Sequence, residues 1–150
     1  MNKKFMELAI LEAKKNTIDI PIGCVIVKDN KVISSGCNTR ELNKKFIEHA
    51  EIIAINRANE YLNNWRLIGC DLYVTLEPCP MCAWAILQSR ISNIYFGAYD
   101  LLYGACGSKI NLSSLINKKH QNINILGGIM ELECKELIDN YFKSLRRKGI

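Results

Sequence analysis

From Cys70 to Ala98 the chain reads CDLYVTLEPCPMCAWAILQSRISNIYFGA, and this run limits the fold more than any other. Cys70, Leu72, Val74 and Leu76 occupy alternate positions, so they share one face of an extended strand. PMCAWAILQS comes next; proline is tolerated in the first turn of a helix, and good helix formers follow it. NIYFGA is then another short apolar strand. A chain that passes from strand to helix to strand needs helices to cover its sheet.

The flanking segments continue the pattern. Phe5, Met6, Leu8, Ala9, Ile10 and Ala13 recur at helical spacing, and Pro21 restricts Ile20 to extended backbone. GCVIVK and KVISSGCN flank Asp29-Asn30, a pair able to adopt positive φ, which predicts a hairpin over 23–38. TRELNKKF reads as a polar loop. Ala50, Ile53, Ala54, Ala58, Tyr61 and Leu62 predict a helix starting at about His49. NINIL predicts a fifth strand before Gly127-Gly128, and Cys134, Leu137, Ile138, Tyr141, Phe142 and Leu145 mark a last helix with one buried stripe. The expected class is α/β: a central sheet with helices on both faces, built by residues 1–150 as a single domain.

Nothing in the 150 residues argues for disorder or a fibrous repeat, since 49% are hydrophobic and 23% charged. No apolar run approaches the roughly 18 residues needed to cross a bilayer, and the N-terminus lacks a signal-like apolar stretch. The expectation is a cytoplasmic protein. Seven cysteines, an odd number, argue against a disulfide framework in such a compartment. The net charge of +5 favours polyanionic partners, and Lys143, Arg146, Arg147 and Lys148 concentrate it near the C-terminus. The same four cations equally suit the negative end of a helix dipole.

Cys79 and Cys82 form a C-x-x-C, which by itself also describes a thioredoxin-like redox pair. A structural zinc would need four protein ligands, usually a second C-x-x-C or paired histidines, and the chain has neither; its histidines are His49 and His120. Three ligands with an open fourth position describe a catalytic zinc. The cysteines fall at a helix start, where free N–H groups favour thiolates. His49 stands where the polar loop becomes a helix. Residues two apart in a regular helix point to nearly opposite sides, so His49 and Glu51 meet at one point only if His49 lies at or before the first turn. Singly, His49 reads as a capping histidine, and Glu51 or Glu77 as a solvated helix acid. Together, with Pro78 before the first cysteine, they point to a catalytic zinc.

HAE at 49–51 and PCPMC at 78–82 match the H-x-E…P-C-x-x-C signature of the zinc-dependent nucleoside and nucleobase deaminases. IPIGCVIVKDNKVISSGCNTR, NWRLIGCDLYVTLEPCPMCAWAI, SRISNIYFGAYD, YGACGS and ILGGIMELECKELIDNYFKSLRR widen the likeness. Through them nearly the whole chain resembles the bacterial tRNA adenosine deaminase family. That resemblance implies a cytidine deaminase-like fold, three α/β/α layers around a five-stranded mixed sheet. It also implies a homodimer that turns adenosine into inosine at the wobble position of a tRNA anticodon, mainly that of an arginine tRNA. His49, Cys79 and Cys82 would hold one zinc per subunit, with no organic cofactor. Hydroxide on that zinc would attack adenine C6, with Glu51 as proton shuttle. Asn38 would bond the flipped base, Pro21 and Ile22 would form the pocket wall, and Asp100 would meet the ribose or backbone. Phe142, Arg146 and Arg147 would engage the anticodon loop.

Each carried-over residue also has a plainer reading: Asn38 as a turn residue, Asp100 as a cap, Phe142 as core. Two positions depart from the family pattern, Glu48 where a small residue usually precedes the histidine and Trp84 where glycine is common. The competing functions are a deaminase of free guanine or cytosine, and a non-catalytic RNA-binding protein with a structural zinc. Phe142 beside a basic track favours RNA; a purely structural zinc has no use for Glu51.

Overall fold

The computed structural model describes residues 1–119 and 121–149; His120 and Ile150 lie outside the described residues. Five strands form one sheet in the order β2-β1-β3-β4-β5. Strands β1 (Gly23–Lys28) and β2 (Lys31–Cys37) make the expected antiparallel hairpin. Asp29 and Asn30 close it at φ 50° and 62°, the left-handed conformation that a two-residue turn between twisted strands requires. Strand β1 also pairs antiparallel with β3 (Cys70–Leu76), whereas β3, β4 (Asn93–Ala98) and β5 (Asn124–Leu126) run parallel. The sheet is therefore mixed, as the resemblance implied.

Alternation along the strands decides what covers each face. Cys24, Ile26, Leu72, Val74, Ile94 and Phe96 face one way and join a core with α3 (Ala50–Leu62) and α4 (Pro80–Gln88). Val25, Val27 and Tyr73 face the other way and pack on α1 (Lys3–Ala13) and α5 (Glu131–Arg147). The result is the three-layer arrangement, with α3 and α4 on the same side. Among the described residues no helix is long and apolar enough to cross a membrane.

Two local expectations change. The polar stretch after Asn38 contains a single helical turn, α2 (Arg40–Asn43), rather than a plain loop. The last helix buries only Cys134 fully; Leu137, Ile138, Tyr141 and Leu145 are half-buried and Phe142 is exposed. The main contacts of α5 with the sheet are to β4 and β3.

Candidate active site

The C-terminal end of β3 runs through Glu77 and Pro78 into Cys79, the N-cap of α4, with Pro80 at the first helical position. Proline fits there because the first N–H groups of a helix have no intrahelical acceptor. Cys82 lies within the same first turn. On the neighbouring helix His49 is the N-cap of α3, with extended backbone at φ −77° and ψ 153°. The condition set by the spacing is met: His49 stands outside the helix and Glu51 inside its first turn. Gly36 lets α3 approach β2 this closely, since a Cβ there would lie 2.7 Å from the Ala50 carbonyl oxygen.

His49, Cys79 and Cys82 bring their ligand atoms within 4.8 Å of one another. Zinc bonds of about 2.3 Å to sulfur and about 2.1 Å to nitrogen at a tetrahedral angle place S and N about 3.6 Å apart. His49 Nδ1 is 3.8 Å from Cys79 Sγ and 3.5 Å from Cys82 Sγ. The triad therefore fits zinc as it stands. Two thiolates neutralise a dication, and the N-termini of α3 and α4 favour the negative charge of the ligands.

In the metal-free protein the same crowding distributes protons. Cys79 is pulled down to about 4, first by the hydrogen bond from Cys82 and then by His49, against the cost of burial. Cys82 is pushed far up, because it donates to Cys79 and is buried beside Glu51. His49 is raised, chiefly by its bond to Cys79. Glu51, 4% exposed, is raised to about 7, mainly by desolvation, with Cys79 adding to it and its own backbone N–H opposing it. A bound dication lowers it again.

A cleft of about 360 Å³ opens over the triad, lined by Ile20, Ile22, Asn38, Arg40, His49, Glu51, Leu76, Glu77, Cys79, Asp100 and Tyr103. Ile22 and Asn38 are among the residues that line it. Pro21 does not line it, because extended chain turns Ile20 and Ile22 to one side and residue 21 to the other. Asn38 donates from Nδ2 to the Ile20 carbonyl at 3.3 Å, and its Oδ1 is buried without a partner among the described residues. Asp100 is a cap as well as a wall: its Oδ1 accepts the N–H groups of Leu102 and Tyr103, both at 3.0 Å. Phe142 stands outside this cleft, in an adjoining groove of about 630 Å³ with Ile138 and Lys135, and Ile20, Ile22, Leu76, Asp100 and Tyr103 line both. Arg146 and Arg147 are exposed in the last turn of α5, outside both hollows.

Three carboxylates organise the walls, and sequence reasoning found the purpose of none. Asp19, 1% exposed, accepts the N–H groups of Glu41 at 2.6 Å and Leu42 at 3.0 Å, and Asn16 Nδ2 at 2.8 Å. Asn16 Nδ2 also reaches the Asn38 carbonyl at 3.0 Å, so the buried acid anchors α2 beside Asn38. Glu48 accepts from Thr39 Oγ1 at 2.9 Å and Asn43 Nδ2 at 2.7 Å, closing the 39–48 loop just before His49. Those two bonds hold its carboxyl below its ordinary value. Glu77 is a buried acid of the cleft rather than a solvated helix acid. Arg40, at the start of α2, and Tyr103, in the segment after β4, were missed as well, for no spacing marks an isolated residue that reaches a cleft.

Residues 1–98 match the family described as the cytidine and deoxycytidylate deaminase zinc-binding region. A tRNA-specific adenosine deaminase of Bacillus subtilis is 41% identical over 146 residues, covering 96% of this chain and 90% of that protein. A solved structure from work on A-to-I editing by tRNA:A34 deaminases at the wobble position aligns with a TM-score of 0.84 at 40% identity, over 91% of this chain and 99% of that one. The guanine deaminase of Bacillus subtilis aligns with a TM-score of 0.63 at 36% identity, over 66% of each chain. With a zinc-fitting triad at two helix starts and likeness of this extent, the chain belongs to the zinc-binding cytidine and deoxycytidylate deaminase family, and within it stands with the tRNA-specific adenosine deaminases.

Proposed function

We propose that this protein deaminates adenosine to inosine at the wobble position of a tRNA anticodon, mainly that of an arginine tRNA, as a cytoplasmic homodimer with one zinc per subunit. The observation that carries the reading is the 40% identity to the A34 editing structure over 91% of this chain, against 36% over 66% for the guanine deaminase of Bacillus subtilis. Exposed Phe46, Leu101 and Leu102 are apolar surface that a second copy would cover.

His49 Nδ1, Cys79 Sγ and Cys82 Sγ would hold the metal. Zinc held there would supply Lewis-acid activation of a water near neutral pH. Glu51 takes one proton from the attacking water and delivers it to adenine N1 as the oxygen adds to C6; it then takes the second proton from that oxygen and passes it to the amine, so the C6–N bond breaks as C6=O forms. Water is consumed and ammonia departs. Its burial suits both directions of transfer, because a carboxyl kept from solvent does not lose its proton to bulk water. Asn38 offers its unpaired Oδ1 to a donor of the flipped nucleotide, and Ile20 and Ile22 exclude water beside the base. Asp100 keeps one carboxylate oxygen for the ribose or backbone. Phe142 offers a stacking face, and Arg146 and Arg147 meet phosphates.

Incubation with a tRNA bearing adenosine at the wobble position, followed by inosine mapping, tests this. Inosine at that single position is expected. Turnover of free guanine without any inosine in tRNA would establish the competing free-base reading instead.

A further inference from the structure

Glu77 belongs to neither the metal triad nor the proton path, yet it is 2% exposed and surrounded by donors. Its Oε1 accepts the Asp100 N–H at 3.2 Å and the Ser108 hydroxyl. Its Oε2 accepts the N–H groups of Cys106 and Ser108, each at 3.1 Å. All four donors belong to one segment, 99–108, which leaves β4 and returns to the cleft. The segment is wound tightly: a Cβ on Gly104 would strike the Glu77 carboxylate and the Asp100 carbonyl. It is also tied to the metal ligands, because the Ala105 N–H donates to the Pro78 carbonyl at 2.9 Å, one residue before Cys79.

The bonds continue outward to the substrate side. Glu77 fixes the Asp100 backbone, the Asp100 side chain folds 101–103 by accepting two N–H groups, and Asp100 and Tyr103 then face the cleft. Tyr99, Leu101 and Leu102 line the adjoining groove that holds Phe142. A carboxylate suits the inner end of this series, because every group aimed at it is a donor. An amide would have to turn its NH₂ toward N–H groups.

We propose that Glu77 is a positioning residue for substrate recognition, whose carboxylate sets the 99–108 segment so that Asp100 and Tyr103 meet the nucleotide around the target base. The proposal rests on the RNA-editing function above and adds to it a division of labour: His49, Cys79, Cys82 and Glu51 do the chemistry, and Glu77 governs how well RNA is held.

The test compares the full chain with Glu77→Gln and with the milder Ser108→Ala, on an anticodon stem-loop carrying adenosine at the wobble position. In Glu77→Gln the zinc content is expected to stay at one per chain, with KM raised about tenfold and kcat within about threefold of the parent. The amides of Asp100, Cys106 and Ser108 should exchange with deuterated solvent about tenfold faster or more. Ser108→Ala should shift KM and exchange the same way by a smaller factor. Unchanged exchange at those amides in both variants, or a fall in kcat with KM unmoved, would overturn the proposal. So would zinc loss in Glu77→Gln accompanied by normal KM and exchange in Ser108→Ala. Should the parent itself make no inosine, the substrate reading fails on its own; Glu77 is then judged by exchange and by fluorescence affinity for a single-stranded RNA.

Discussion

Glu51 combines three properties that separately are ordinary: a place in the first turn of α3, almost complete burial, and a thiol ligand within hydrogen-bonding reach. Replacing it with Gln preserves shape and removes the proton carrier. Glu51→Gln is expected to keep its zinc by elemental analysis and to lose at least about a hundredfold in inosine formation. The metal-free protein supplies an independent check. Because burial raises the Glu51 carboxyl from 4.5 to about 7, its contribution to stability is complete below pH 4.5 and lost as pH rises through 7. Metal-free Glu51→Gln should therefore match the parent near pH 4 and exceed it by roughly 3 kcal/mol above pH 7 in urea unfolding. Zinc uptake near pH 7 should release about one proton or more, chiefly from Cys82, since Cys79 is already ionised. Calorimetry in two buffers of different ionisation enthalpy would measure it. The triad and Glu51 were legible in the sequence because ligands come in short spacings. Asp19 and Glu77 were not, because a carboxylate bound by backbone N–H and neutral polar groups has no charged partner to mark it; Glu48 was not, because the Lys45 pairing at 3.9 Å is an ordinary surface pattern that hides its bonds to Thr39 and Asn43.

The helices that carry the triad depend on what lies beneath their first turns. Gly36 brings β2 against Ala50 and Ala54, and the Ser34 hydroxyl donates to the Ala54 carbonyl at 2.8 Å. A methyl group at position 36 would lift the start of α3, and with it both His49 and Glu51. Gly36→Ala is expected to fold with zinc affinity weakened about tenfold or more, measured by competition with a chromogenic chelator. Helix α5 is governed differently, for it is amphipathic by pattern yet fully buries only Cys134. Periodicity reveals which face of a helix is apolar; it does not reveal how much partner that face will find. The outer half of α5 therefore keeps Phe142 and its cations available to a ligand. Substituting Arg146 and Arg147 with alanine should leave zinc and thermal stability nearly unchanged and lower the salt dependence of RNA affinity by about one unit of slope per arginine.

Across the molecule, the hairpin supplies an antiparallel half of the sheet and the β3-α4-β4 crossover a parallel half, so the metal triad collects at the carboxyl end of β3, where α4 begins. That order of elements was readable from hydrophobic patterning; the pairing of β1 with β3 was not, since local pattern carries no record of which strands become neighbours. Self-association belongs to this scale as well. Light scattering across a concentration series should find twice the chain mass, and Leu101→Asp with Leu102→Asp should reduce it if that exposed apolar surface is the one covered. The division between helix starts that carry the metal ligands and loops wound on Asp19 and Glu77 has a further consequence. Exchanges within 40–47 or 99–103 would reshape what the cleft admits without moving a ligand atom, provided that Asp19 and Glu77 keep their N–H donors and the ties beside the ligands, Thr39 to Glu48 and Ala105 to Pro78, are retained. New substrates are therefore reachable from this scaffold by loop grafting, with a zinc centre that need not be rebuilt each time.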